Sequence, residues 1–305
     1  MQPLVSEAAC PLEKIEPVAS DGYRGLGVLR KPPGAGPFPA IIWLHGGITT
    51  VPLSRLELAT RDLANPARFL AAGYVLVAST YRSRDVDLQS PVSLEDCLAV
   101  VEFVRRLPYV DAQSVVVFGC SGGGDLALEI AARVQVCAVI AEEPASVLMS
   151  NVFNNTSPKQ GERFAPADSF YLLEDGKRYY TAKFQQILQA KIKRINSPIL
   201  MLQGDVDRRE IPINRFNTDV LIPELQRANK TLTVKTYSEQ AHCFCSASGQ
   251  PRPNGLAASA SWPSAALKAF QDSDAFCRRY LRTQPKPIDA TLLKEVEVRQ
   301  GPIAR

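Results

Sequence analysis

The sequence predicts an α/β domain: a mostly parallel central sheet with helices on both faces and a small cap inserted over one end. Three observations carry this prediction. Short apolar runs rich in β-branched residues alternate with stretches of helical period along most of the chain. Strands separated by helices require right-handed crossovers, which bury a parallel sheet on both faces. The chain has 305 residues, 46% of them hydrophobic and 22% charged. A globular chain of that size buries roughly 75% of its unfolded surface, enough for one large core without staples. A single domain over residues 1–305 is the expectation.

The elements follow in order. Residues 14 to 30 are expected to add antiparallel edge strands. Ala40 to Leu44 forms an apolar strand ending in His45-Gly46-Gly47. A helix follows, with Asn65 to cap it, Pro66 at its first position and Gly73 for a left-handed exit. Tyr74 to Ala78 is the next strand. Ser93 and Asp96 read as a capping box, after which Leu94, Leu98, Val101 and Val104 keep helical spacing. Val115 to Phe118 is a short strand, and Leu126, Ile130 and Val134 with Ala127 and Ala131 make one helical face. Val136–Ile140, Ile199–Leu202 and the alternating Leu232, Val234, Thr236 complete the strands. The polar stretch 151–193 interrupts the alternation, so 145–195 is read as the cap. Residues 282–305, rich in turn chemistry, are expected to form a loose tail.

Several classes of function are excluded. Lys and Arg total 35 against 31 acids, a net charge of +4 with no basic run, which gives no footprint for nucleic acid. No stretch approaches the ~18 apolar residues of a membrane helix. Met1 to Cys10 lacks a basic start and an apolar run, so no signal peptide is visible and a cytoplasmic location is expected, unless the chain is a trimmed mature form. The seven cysteines form an odd set without framework spacing, which points to free buried thiols. His242-Cys243-Phe244-Cys245 lacks the companion ligands a zinc site needs, and Gly122-Gly123-Gly124 lacks the Gly-Lys-Ser/Thr ending of a phosphate loop. Neither a metal nor a cofactor is expected.

The chemistry lies elsewhere. Gly119-Cys120-Ser121-Gly122-Gly123 fits Gly-x-Ser-x-Gly, directly after one strand and opening a helix, the context in which that string forms a nucleophile elbow. Small flanking residues permit the sharp turn, and the Gly122 amide points to where an oxyanion would develop. A serine hydroxyl needs a base, itself oriented by an acid. The chain offers two histidines. His242 follows the last strand and suits the base; His45 precedes two glycines and suits a structural role in the loop supplying the second oxyanion amide. Asp205 and Asp207, after the Ile199–Leu202 strand, are the candidate acids. The order serine, acid, histidine is itself diagnostic.

These pieces together resemble the α/β-hydrolase superfamily, and within it the branch of dienelactone hydrolases and prolyl oligopeptidases. The matching segments are Pro39–Gly47, Ser79–Arg82, Glu95-Asp96 leading to Tyr109-Val110-Asp111, Gly119–Gly123, Gly204–Asp207 and Gln240–Phe244. The branch pattern Gly-x-x-Asp assigns the acid to Asp207 and leaves Asp205 to the turn. The resemblance places the second oxyanion donor at Gly47 or Ile48. Ile48, Tyr81, Cys120 and Glu142 are candidate pocket residues; for Glu142 and Glu143, a solvated loop is the commoner role of such a pair. The branch often carries glycine beside the histidine, where this chain has Ala241 and Cys243.

The resemblance implies a serine hydrolase acting on small carboxylic esters. A peptidase of the oligopeptidase type is the second reading, although the roughly 38 residues before the first matched strand leave no room for that family's propeller. A binding protein on a hydrolase scaffold is the third.

Overall fold

The computed structural model describes residues 8–47, 50–61, 65–82, 92–146, 149–150, 180–205, 213–245 and 262–288. Eight strands form one sheet: β1 (Leu12–Ile15), β2 (Gly27–Arg30), β3 (Phe38–Leu44), β4 (Val75–Ser79), β5 (Val110–Cys120), β6 (Ala138–Glu142), β7 (Ile199–Gly204) and β8 (Leu232–Tyr237). Their spatial order is β1-β2-β4-β3-β5-β6-β7-β8. β1 with β2 and β2 with β4 run antiparallel, as expected for the edge, and the other neighbours run parallel. The chain has the α/β-hydrolase fold.

Side chains alternate across this sheet with a period of two. Ile42, Leu44, Val77, Val117, Val139 and Met201 pack on one face beneath α3 (Val92–Arg105), α4 (Gly122–Ala131) and α5 (Ala182–Arg194). Ile41, Trp43, Leu76, Phe118, Ile140 and Leu200 pack on the other, beneath α1 (Leu53–Arg61), α2 (Asn65–Ala71) and the last helix. Between β7 and β8 lie α6 (Ile213–Phe216), a π-helical turn (Asn217–Leu221) and α7 (Ile222–Arg227); α8 (Trp262–Arg278) closes the fold. α2 exits through Gly73 at φ 100°, with Tyr74 N–H bonded to the Phe69 carbonyl at 3.0 Å, the left-handed cap that the glycine predicted.

Three expectations need correction. Ser93 and Asp96 do not form a capping box, because α3 already begins at Val92. The buried Asp96 carboxylate instead accepts the backbone N–H of Arg82 at 2.8 Å and three guanidinium bonds at 2.7–3.1 Å, fixing the chain just past β4. Residues 282–288 are not loose: the Arg282 and Thr283 amides donate to Ser114 Oγ, and Ile288 N–H bonds the Ala71 carbonyl at 2.9 Å. Within the segment read as a cap, α5 is a flanking helix of the sheet that buries Phe184, Leu188 and Ile192; residues 151–179 and 289–305 lie outside the described residues.

The registers determine what meets at the carboxyl end of the sheet. Leu44 pairs with Gly119, Cys120 with Glu142, and Glu142 with Leu202. The segments leaving β3, β5 and β6 therefore emerge side by side, and β7 and β8, paired as far as Gly204 and Tyr237, end on the same rim.

Candidate active site

Ser121 stands between β5 and α4 with φ 53° and ψ −116°, a backbone conformation L-residues rarely adopt. Close packing explains the glycines around it. A Cβ on Gly119 would lie 2.0 Å from the Gly123 carbonyl oxygen, and one on Gly122 would lie 2.2 Å from that of Gly47. One on Gly123 would come within 2.4 Å of the Leu44 and His45 oxygens. Only bare backbone lets the β3 loop and the start of α4 approach this closely. Gly46 in turn faces the Ser121 Cβ, about 3.5 Å from where its own Cβ would be. The amide of Gly122 belongs to the first turn of α4, whose N–H groups have no carbonyl of their own helix to bond.

The loop carrying Gly46 and Gly47 is held from outside. Tyr81 is buried, and its hydroxyl donates to the carbonyls of His45 at 2.8 Å and Gly47 at 3.2 Å. Its ring stacks on His45 with centroids 4.2 Å apart. His45 Nδ1 lies 2.9 Å from the Gly46 carbonyl, and burial lowers the imidazole pKa to about 4, so it is neutral near pH 7. His45 and Tyr81 thus shape the loop. Gly47 has φ 85°, and Ile48 lies outside the described residues.

His242 follows β8 in a turn, its side chain mostly buried. The neighbouring Cys243 is joined to Cys120 by a disulfide with the two Cα atoms 5.9 Å apart. The expectation of free thiols fails for this pair; Cys10, Cys97, Cys137, Cys245 and Cys277 are not in disulfides. The bridge joins the residue before Ser121 to the residue after His242. A signal for it existed in the sequence: if a serine and a histidine must meet, cysteines adjacent to each are brought together as well.

Glu142 and Glu143 are fully buried, which overturns the solvated-loop reading. Glu142 accepts the Cys245 amide at 2.6 Å, so its carboxylate serves the histidine loop. Glu143, at φ 44°, accepts the Gly204 amide at 2.7 Å on Oε1 and the Cys243 amide on Oε2. The same Oε2 lies 3.2 Å from His242 Nδ1. The sequence marks Glu143 only as one of a carboxylate pair with Glu142, able to bind a cationic group but more commonly a solvated loop, and gives it no part beside the histidine. Asp205 Oδ1 accepts the Glu239 amide at 2.6 Å, in keeping with a turn role, and Asp207 lies outside the described residues. Glu143, His242 and Cys243 place an oxygen, a nitrogen and a sulfur within 4.8 Å, but that sulfur belongs to the disulfide and offers no thiolate. Of the five non-glycine residues with positive φ among those described, Ser121, Glu143, Glu239 and Cys243 lie at the elbow or around the histidine loop. Backbone conformations of this kind cluster at functional sites.

Comparison with known proteins places the chain among relatives. The model of the prolyl oligopeptidase family matches residues 87–269, about three fifths of the chain and including both Ser121 and His242. The gibberellin receptor GID1 of Oryza sativa subsp. japonica is 30% identical over 167 residues, 52% of this chain and 44% of the receptor, so the chain spans less than half of that relative's length. Among solved structures, carboxyl esterase 2 of Tuber melanosporum superposes with a TM-score of 0.61 at 18% identity, over 90% of this chain and 88% of that one. An esterase of Pyrobaculum calidifontis gives 0.59 at 19% identity over 90% and 88%. A Klebsiella pneumoniae protein assigned as a dienelactone hydrolase gives 0.57 at 18% over 89% and 100%. At such identities these likenesses speak for the fold.

Proposed function

Since the chain belongs to the prolyl oligopeptidase family and has the α/β-hydrolase fold, we propose that it is a serine hydrolase that cleaves small carboxylic esters through an acyl-enzyme. Ser121 Oγ attacks the acyl carbonyl, and His242 takes its proton and returns it to the leaving alcohol. Asp207 orients the imidazole and stabilises its protonated form. Amides at Gly122 and at Gly47 or Ile48 bind the oxyanion, each worth ~3 kcal/mol of transition-state stabilisation. Water then enters by the same acid–base route and releases the acid.

The observation that carries this reading is the strained Ser121 at the head of α4, facing the Gly46–Gly47 loop, with the histidine loop covalently tied beside it. The likenesses to esterases support an ester substrate. The family's name keeps peptides as the alternative. Turnover of short-chain aryl esters and of aminoacyl anilides, measured side by side, separates the two. The proposal expects ester turnover in the wild type and loss of at least about 10³-fold in Ser121→Ala. Undiminished turnover in that variant ends it.

A second reading rests on the 30% identity with a protein named as a receptor: a small-molecule binding protein on the same scaffold. A folded wild type inert to every serine-directed probe yet stabilised by a gibberellin would favour it over catalysis.

A further inference from the structure

We infer that Glu143 is an acidic partner of His242 in its own right, a positioning residue that acts on Nδ1 in addition to the acid that the proposed function assigns to Asp207. This deepens the proposed function and rests on it for its catalytic consequences.

The placement of the carboxylate is the argument. Glu143 follows β6, one strand inward from the strand that precedes Asp205 and Asp207. It is fully buried, in a left-handed conformation that aims its side chain under the histidine loop. Its two oxygens divide the work. Oε1 takes the Gly204 amide, where β7 ends; Oε2 takes the Cys243 amide and sits 3.2 Å from the imidazole nitrogen. The contact with Nδ1 is one of charge at close range rather than an aligned hydrogen bond, and such contacts tighten when substrate is bound. Burying a carboxylate is costly unless it is bonded and paired. Two amides supply the bonds, and the imidazolium formed during acyl transfer supplies the counter-charge. Glutamine cannot substitute fully: it has one acceptor oxygen, and its amide nitrogen would face an N–H donor.

The other titratable groups around this loop are Glu142, Asp205, Glu239 and the buried Cys245 thiol, with Arg68 of α2 behind that thiol. Asp205 and Glu239 are exposed, and Glu142 is turned to the Cys245 amide. Among the described residues, Glu143 is therefore the carboxylate that faces the imidazole.

The chain holds only two histidines, which makes the test direct. Histidine-labelled protein is titrated by NMR in the wild type, Glu143→Gln, Asp207→Asn and the double variant. Each is also assayed for kcat and KM on a short-chain aryl ester from pH 5 to 9. His45 titrates near pH 4, out of the window, so the signal moving near neutrality is His242. Removing an anion from Nδ1 disfavours the imidazolium, so Glu143→Gln should lower the His242 pKa by about one unit. The acid limb of kcat/KM should move down with it, and kcat should fall about tenfold with KM within twofold. In Asp207→Asn, the anion left by Glu143 should hold the His242 pKa at or above its ordinary ~6.5. A folded Glu143→Gln whose His242 titration and acid limb stay in place overturns the inference. If that variant does not fold, Asp207→Asn decides alone: a His242 pKa well below 6.5 overturns it. Absence of ester turnover and of serine labelling in the wild type would remove the hydrolase reading, while the titrations would still report on Glu143.

Discussion

Replacing Cys120 and Cys243 by alanine has an outcome that can be worked from the structure. The bridge closes a loop of sequence separation 123 between β5 and the turn after β8. The entropy such a cross-link removes from the unfolded chain corresponds to about 5 kcal/mol for a loop of this length. With an unfolding entropy of ~2.1 cal/mol/K per residue, the double variant should melt about 8 °C below the wild type. Alanine suits the test because Cys120 is buried and a serine hydroxyl there would add its own desolvation cost. Differential scanning calorimetry gives the shift, and alkylation of denatured protein, counted by mass spectrometry, gives the thiols: five without reductant, all seven after reduction. Activity should fall as well, about tenfold in kcat, because the covalent link holds the His242 turn beside the elbow. Seven reactive thiols without reductant, or a melting point unchanged within 2 °C, would refute this reasoning.

Other consequences follow from the same contacts. Gly123→Ala places a methyl against the Leu44 and His45 carbonyl oxygens, which are backbone and cannot swing away. It should cost at least about 3 kcal/mol in chemical denaturation, or prevent folding. Tyr81→Phe removes the hydroxyl that holds the His45 and Gly47 carbonyls. Stability should drop by about 1–2 kcal/mol and kcat more than KM, since the proposed mechanism gives this loop an oxyanion donor rather than a substrate contact. His45 is held neutral, its pKa lowered by burial to about 4. The unfolded chain binds a proton at this position between pH 6.5 and 4 that the native protein does not, so stability rises with pH across that window. The contribution is complete above 6.5 and about 3 kcal/mol of it is lost on acidification through pH 4. In urea titrations, His45→Gln should flatten the slope there.

Much of the architecture was legible because it is dictated locally. Runs such as Ala40–Leu44 and Ile199–Leu202 are too apolar for a half-exposed strand, so they announce a sheet covered on both sides. Gly73 marks a helix exit by chemistry alone. The elbow could be recognised because Gly119, Ser121 and Gly123 sit between a strand and a helix. What escaped was set by distance along the chain. Glu142-Glu143 reads as a surface pair by composition, and only the arrival of Gly204, Cys243 and Cys245 amides makes its burial tolerable. Cys120 and Cys243 carry no spacing signature across 123 positions. Ser93 and Asp96 read as a capping box because the sequence cannot display the Arg82 guanidinium that claims the carboxylate. The approach of Glu143 to His242 Nδ1 is not legible either, since it joins residues about 100 positions apart that only the fold brings together.

The most direct measurement is to treat the native protein with an organophosphate and map the adduct by peptide mass spectrometry. A single phosphorylated site at Ser121, formed at neutral pH, absent in Ser121→Ala and slowed by orders of magnitude in His242→Ala, is the predicted result. A folded protein that stays unmodified, or is labelled at another residue, would contradict it.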